Sequence, residues 1–600
     1  VKKLFNSSIY HRKTLHISAI FLTAIILRFF YLSEIIHSPF YESPVVDGRT
    51  YISLSKQLAS GNWLGETIGP FWQPPLYPYV LAIVRILDED SFFNAVRWLQ
   101  CILSSLTCVG IYLLACKWYD SKVGLLAAGT ACIYGPMIFF DGEILPASLA
   151  MSISMAGFLV YELAQNNNRK IYLFISGLLF GFASITVATI LVGILTLFVW
   201  TIYQKRNLLY GLLFISGAIL VIGLVTWRNY EVGNDNVLIS SNSGVNFFIG
   251  NNKKYDETIN IRPGWQWDKL VSQPRALGIE LPSEKSAFFW KSSFDFIKNH
   301  PSEYVLLQLK KTWGLFHGYE QGRNQDIYFW RNYSDLLSVL LWHYGLAFPF
   351  GLISPLALIG LARYFRQLNN FGGLYVFTYA LAIIMFFPTA RYRIVIIPLL
   401  LIFFAHTFFW LKDSMQNRSY RDYLFRLFWI VLIFLFFNFG GQPMNMKGDA
   451  EIHFNLGQAY ADKKRPEKAL SHLQKAVQID STHWQALFNL GSIEGMKGNL
   501  DAAKNIFLKV TQAEPNRPEV WVNLAHAQRG LGQNESATFS YEQTLRINPY
   551  LPKIYLELLQ LYTQLGQNEK AKKVLDRAIT IYPKDRKKIL TLFSNLKRRF

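Results

Sequence analysis

Charge is scarce in this chain. Asp, Glu, Lys and Arg make up 17% of its 600 residues, below the roughly 25% of an ordinary soluble domain. Acid is scarcer than base: 40 Asp and Glu stand against 60 Lys and Arg, for a net charge of +20. Cysteine is scarce as well. Cys101, Cys108, Cys116 and Cys132 all lie within or at the ends of apolar runs. They form no CxxC pair and no Cys/His spacing, which argues against a zinc site, and they read as small buried hydrophobes. A P-loop is missing, as are a well-placed Asp-x-Asp motif of nucleotide-sugar enzymes and a defensible Ser/His/Asp arrangement. No Lys/Arg cluster interleaves with aromatics as a base-stacking surface needs, so a nucleic-acid partner is not expected.

Hydrophobic residues are abundant, at 51%, with 47 Phe. A membrane span needs about 20 mostly apolar residues. About eleven segments qualify: 14–34, 96–116, 123–140, 144–164, 171–185, 187–203, 208–227, 335–361, 371–388, 394–411 and 423–438. The stretch 171–203 is read as two spans in a tight hairpin. The basic N-terminal segment and its long apolar run, without a small-residue cleavage site, read as a retained first span. The positive-inside rule tests the count. With Lys2, Lys3, Arg12 and Lys13 inside, the next inside turns hold Lys117 and Lys122, Arg169 and Lys170, Lys205 and Arg206, Arg363 and Arg366, then Lys412, Arg418 and Arg421. Every one is basic. The same parity puts loops 35–95, 228–334 and 389–393 outside, together with everything after residue 440. The segment 74–90 is short, opens on two prolines and ends on acids. It reads as an interfacial or re-entrant helix.

The last 150 residues are different. Leu456-Gly457, Leu490-Gly491, Leu524-Ala525 and Leu558-Leu559 recur every 34 residues, in phase with Ala469, Ala503, Ala537 and Ala571. Leu473, Phe507, Tyr541 and Leu575 keep a third register, and Pro515, Pro549 and Pro583 a fourth. Small residues let two helices approach, large ones fill the gap, and proline ends the unit. This pattern resembles the tetratricopeptide repeat. The expected organisation is all-α: a polytopic helical bundle at 1–440, a linker at 441–449, four repeats at 450–583 forming a solenoid, and a basic capping helix at 584–600. Such repeats bind proteins or peptides.

Several outer residues carry candidate chemistry. Asp47 follows the first span in SPVVDGRTYISLSKQLASGNW, with Tyr51 four residues on, then Ala59-Ser60-Gly61 and Pro74-Pro75-Leu76. Asp141 and Glu143 sit in DGEILPASL, Asn251 and Asn252 close SNSGVNFFIGNN, and Arg391 and Arg393 lie in FFPTARYRIVIIPLL. Each has a plain alternative: helix capping for Asp47, a structural pair for Asp141 and Glu143, a turn for the asparagines, and snorkelling for the arginines. Glu320 and Asn324 line the cleft or are simply solvated. His317 and His343 are isolated, so no metal site is expected there.

The order of these motifs resembles the GT-C glycosyltransferases, the superfamily of protein O-mannosyltransferases and aminoarabinose lipid A transferases. Many members carry Asp-Glu at the first acid, where this chain has Asp47-Gly48. Eukaryotic O-mannosyltransferases with tetratricopeptide repeats share the overall architecture. The resemblance implies an integral membrane glycosyltransferase that moves a sugar from a polyprenyl-phosphate carrier to an extracytoplasmic acceptor, a protein recruited by the repeats or a glycan. Asp47 is then the general base, Arg391 and Arg393 bind the donor phosphate, and Tyr51, Asp141, Glu143, Asn251, Asn252 and Glu320 bind substrate. Direct attack inverts the anomeric carbon. No cofactor is required by this scheme, although a divalent cation on Asp141 and Glu143 is an open alternative. The expected location is a bacterial inner membrane, with site and repeats on the outer side. Two other readings compete: a surface-polysaccharide ligase or polymerase, and a membrane-anchored scaffold whose repeats do the work.

Overall fold

The computed structural model describes residues 2–166, 169–261, 265–323, 326–366, 370–417, 420–439, 448–582 and 590–591. Most of the linker at 441–449 and of the capping helix at 584–600 lies outside these residues, as does Asn324. The chain divides into two compact units, Val1–Met446 and Lys447–Phe600.

Among its described residues the first unit is helical, with one small antiparallel hairpin pairing Trp342–Tyr344 with Leu346–Phe348. Apart from 335–361, each apolar segment falls on a helix or, at 123–140, on a bent helix pair. Among the described residues, five helices are long and apolar enough to cross a membrane, or six if the bent pair Ser121–Cys132 and Gly135–Gly142 is one span. The others, among them Ile171–Ser184, Ile190–Lys205, Phe350–Tyr364 and Gly372–Met385, are apolar but shorter.

Side-chain pairings fix the direction of each pass. His16 meets Tyr112 and Arg28 meets Ser104, so Lys2–Ile35 and Phe92–Trp118 run antiparallel. Thr107 meets Ser152 and Trp118 meets Glu162, so Ala147–Asn166 runs with Phe92–Trp118. Ile171–Ser184 and Leu208–Gly233 are parallel. A Cβ on Gly177 would lie 1.8 Å from the Phe214 carbonyl, and one on Gly181 would lie 3.0 Å from Val221 Cβ. Two parallel passes need a return between them. Ile190–Lys205 supplies it, with Thr201 against Tyr161 and Lys205 donating to the Gln165 carbonyl. The stretch 171–203 is therefore two legs, and the later helices keep the alternation. Tyr119 stacks on His406 at one end, while Asn438 bonds the Gly351 carbonyl at the other.

One segment departs from the expected helix. The apolar run 335–361 is broken into the helix Asp335–Leu340, the hairpin and the helix Phe350–Tyr364. Gly345 takes φ +78 at the hairpin turn, and Pro349 withholds the N–H that a continuous helix would use. The segment 74–90 contains the 12-residue helix Leu76–Leu87. Tyr77, Leu81 and Ala82 are buried, whereas Ile83, Ile86 and Leu87 are exposed.

Among its described residues the second unit stacks eight helices in pairs, from Gly448–Asp462 and Pro466–Ile479 to Pro552–Gln564 and Asn568–Ile581. The four in-phase alanines are buried, as are Leu473, Phe507, Tyr541 and Leu575. Each pair turns through a left-handed residue. Three units use Gly498, Gly532 and Gly566, but the first uses Lys464 at φ +56. A Cβ there costs about 1–2 kcal/mol. Lys464→Gly is expected to raise the unfolding free energy of this unit by about 1 kcal/mol, read as a higher urea midpoint. An unchanged midpoint would show that no strain resides there.

Candidate functional site

The candidate residues gather at one end of the first unit, but they do not share one environment. Asp47 opens the helix Asp47–Ala59. It does not act as a plain helix-capping acid. One carboxylate oxygen pairs with Arg391 Nη1 at 2.5 Å, and the other accepts from Gln73 Nε2 at 3.2 Å. Both charged side chains are about one-fifth exposed. Arg391 also donates to the Tyr392 hydroxyl at 3.2 Å. Val46, just before Asp47, takes φ 53. That conformation is costly for a β-branched residue and tends to occur where function fixes the backbone. Gly48 packs closely: a Cβ there would lie 3.0 Å from Pro44 Cβ and 3.4 Å from the Ile144 carbonyl.

Glu143 follows the helix Gly135–Gly142. It lines a cleft with Arg391, Thr389, Gln321, Arg323 and the aromatic wall of Phe139 and Phe140. Burial pushes its carboxyl up to about 7, while Arg97 draws it back. Thr389 is 4% exposed, and its hydroxyl has no hydrogen-bond partner among the described residues. The cleft thus offers a carboxylate, two guanidinium groups and a hydroxyl.

Asp141 turns the other way. It is fully buried, pairs with Arg28 Nε at 2.7 Å and accepts from Ser148 at 2.6 Å. Arg28 also donates to Ser104 at 2.9 Å. Asp141 therefore joins three helices inside the bundle. Arg393 is also turned inward. It pairs with Glu320 at 2.6 Å, donates to the Leu315 and His317 carbonyls at 2.9 Å, and lies 3.6 Å over the Phe350 ring. Tyr134 adds a 3.3 Å bond to Glu320. Of the two arginines expected at a donor phosphate, Arg391 is the one at the cleft. Arg393 and Glu320 satisfy each other beneath it. His317 is held neutral, with its affinity for a proton lowered to about 4 by burial and by Arg393 and His343.

Tyr51 is buried behind Asp47, edge-on to Tyr77 at 5.4 Å. Tyr77 donates to Gln100 at 2.7 Å, and Gln100 donates to the carbonyls of Asp141 and Glu143 at 2.9 and 2.8 Å. Arg97 bonds the Gly142 and Tyr41 carbonyls, each at 2.7 Å. Arg97 and Gln100 so hold the segments of both acids from one helix. Neither residue was singled out from sequence, although a charge inside an apolar run is a signal in itself.

Asn251 and Asn252 are structural ties. Asn251 donates to the Met385 carbonyl at 2.6 Å and to Phe247 at 2.9 Å. Asn252 bonds Phe248, Thr258 and the Lys254 N–H. A Cβ on Gly250 would lie 1.9 Å from the Phe386 carbonyl, so only glycine permits the approach. Two motifs far apart in sequence are therefore partners, and one fastens the segment that carries Arg391. Lys311, another residue sequence reasoning passed over, donates to Gly250, Asn251 and Phe386.

With this geometry in view, similarity to known proteins is informative. Residues 72–227 match the family described as dolichyl-phosphate-mannose-protein mannosyltransferase. Residues 450–483, 485–517 and 528–595 match tetratricopeptide-repeat families. The chain joins a mannosyltransferase-type membrane region to tetratricopeptide repeats. The first match includes Glu143 but neither Asp47 nor Arg391. It supports a membrane glycosyltransferase of the mannosyltransferase type. No curated protein matches the chain. Among solved structures, MamA matches at 25% identity over 23% of this chain and 81% of that chain, with a TM-score of 0.22. YrrB, described as a TPR protein with an unusual peptide-binding site, matches at 18% identity over 25% of this chain and 84% of that chain, also with a TM-score of 0.22.

Gly250→Ala is expected to force the two segments apart and destabilise the first unit by about 1–3 kcal/mol, seen as a lower melting temperature in detergent. Gly223→Ala is the control, because a Cβ there meets nothing within 4 Å. Equal melting of both variants and wild type would refute the close approach.

Proposed function

We propose that this protein transfers a sugar from a polyprenyl-phosphate carrier to a hydroxyl of an extracytoplasmic protein, with inversion at the anomeric carbon. The observation that carries the reading is the Asp47–Arg391 pair beside a cleft that holds a second carboxylate, Glu143.

The pair has a chemical logic. At rest Arg391 neutralises Asp47. An entering phosphate is an anion that competes for the same guanidinium, and Arg323 adds positive charge on the same cleft. As the donor takes Arg391, Asp47 is released to accept a proton. The acceptor oxygen attacks the anomeric carbon, and its proton passes to Asp47. The bond from that carbon to the phosphate oxygen breaks, and the lipid phosphate leaves with the electron pair. Its growing charge is stabilised by Arg391. A β-linked donor gives an α-linked product. Glu143 orients the acceptor or holds a divalent cation, and it does either best when ionised.

The alternation of eleven passes and the basic turns opposite the site support a site on the extracytoplasmic face. An odd number of passes brings the repeats into the same compartment, where they select a protein acceptor. A bacterial inner membrane suits this arrangement.

The test is transfer of radiolabelled sugar from a panel of polyprenyl phosphate sugars to envelope proteins, using membranes with wild type or Asp47→Asn. Label is expected with wild type and lost by at least about a hundredfold in the variant. Near-normal transfer by Asp47→Asn would favour a polysaccharide ligase. No label with any donor would favour the scaffold reading.

The acid limb supplies a second prediction. The Glu143 carboxyl sits at about 7, so it is ionised only above that pH, and transfer is expected to rise through it. Glu143→Gln should abolish this limb in a pH–rate profile. A limb unchanged in the variant would assign it to another group.

A further inference from the structure

Lys311 lies on the outer-loop helix Pro301–Phe316 and is 1% exposed. Its ammonium donates to three neutral oxygens: the Gly250 carbonyl at 3.0 Å, Asn251 Oδ1 at 3.0 Å and the Phe386 carbonyl at 3.1 Å. Burying a charge without a carboxylate is costly, so a cation kept there needs a reason. The place explains it. Helix Gly372–Met385 ends beside Phe386, and the last carbonyls of a helix lack internal partners and attract positive charge. Asn251 takes the Met385 carbonyl, and Lys311 takes Phe386. From there the path to the site is short. Phe387 packs on Tyr392 at 5.8 Å, Tyr392 accepts from Arg391, and Arg391 meets Asp47.

We propose that Lys311 is a positioning residue: its ammonium fastens the Gly250–Asn251 turn to Phe386 and thereby holds Arg391 in register with Asp47. The inference rests on reading Arg391 as the donor-phosphate cation. Three acceptors require three N–H donors. The ammonium has three, whereas the neutral amine has two and presents a lone pair to the third oxygen. The fastening is therefore a property of the protonated form.

The surroundings make that form conditional. Helix Ser243–Gly250, residues Met385–Phe387 and residue 251 contain no acid. Lys253 and Lys254 are exposed, and Lys254 pairs with Glu257. On the lysine's own helix, Lys310 pairs with Asp256 and Glu303 with His300. Arg323 lies over Phe387, and Tyr375 and Tyr379 belong to the helix Gly372–Met385. Burial is the cause that lowers the ammonium to about 7. The fastening thus weakens as pH rises through neutrality, which gives the enzyme an alkaline limb opposite the Glu143 limb.

The test follows hydrogen exchange of the purified full chain in detergent at pH 6 and pH 8.5, corrected for intrinsic rates, in peptides covering 243–252 and 386–393. Wild type is expected to lose protection in both peptides at pH 8.5. Lys311→Arg keeps its charge and should stay protected at both values. Lys311→Met should be unprotected at both. In the transfer assay, Lys311→Arg should move the alkaline limb up by at least about one pH unit, while Lys311→Met loses on the order of tenfold to a hundredfold in kcat, as small misplacements do. The exchange readout needs no sugar donor. The predicted protection pattern in a chain that transfers no sugar supports the fastening and sinks the transferase reading alone. Equal wild-type protection at both pH values, or an alkaline limb left in place in Lys311→Arg, overturns the proposal.

Discussion

The Asp47–Arg391 ion pair joins residues 344 positions apart. Both partners sit at the boundary between helices and loops, and several contacts around them serve their meeting. On the Asp47 side, Arg97 grips the Tyr41 carbonyl and Gln73 shares the carboxylate. On the Arg391 side, the Ala390 N–H bonds the Gln321 carbonyl, and Asn251 and Lys311 fasten the preceding turn. A partly exposed ion pair is worth little as stability. In the proposed mechanism its worth is that it can be exchanged. An anionic ligand can replace the carboxylate without leaving a buried charge unpaired.

Two layers of charge lie at this end of the bundle, and they differ in what they can do. Arg28–Asp141 and Arg393–Glu320 are almost wholly buried. Removing one partner of such a pair would strand the other, so these pairs hold neighbouring segments together. Asp47, Glu143 and Arg391 lie nearer the cleft and retain freedom to change partner or protonation state. The same residue types, a few positions apart in sequence, differ in their partners: Asp141 pairs with Arg28, whereas Glu143 faces the cleft.

Much of this was legible in the sequence. Apolar runs, basic turns and the 34-residue period identified the helices and the repeats, because each depends on local composition. The site was legible only in part. Asp47, Glu143 and Arg391 could be named because the order of their motifs resembles that of a known superfamily, although each residue alone also has a plain local explanation. Which of two neighbouring charges faces the cleft could not be read, since Asp141 and Glu143 differ only by the angle at which the chain leaves Gly142. Arg97, Gln100 and Lys311 were passed over because most of their partners are backbone carbonyls, which have no sequence signature. Arg28 and Arg97, charges within apolar runs, were nonetheless visible clues. The hairpin at 342–348 was hidden by an apolar composition that serves a short strand as well as a helix.

The account turns on Arg391 exchanging Asp47 for a lipid phosphate. The direct measurement is the affinity of the purified chain for a polyprenyl phosphate without sugar, in wild type, Asp47→Asn and Arg391→Gln. Exchange predicts that Asp47→Asn binds more tightly than wild type, by about tenfold for 1.4 kcal/mol of competition removed, and that Arg391→Gln binds more weakly. Equal affinity in all three, or weaker binding in Asp47→Asn, would contradict it.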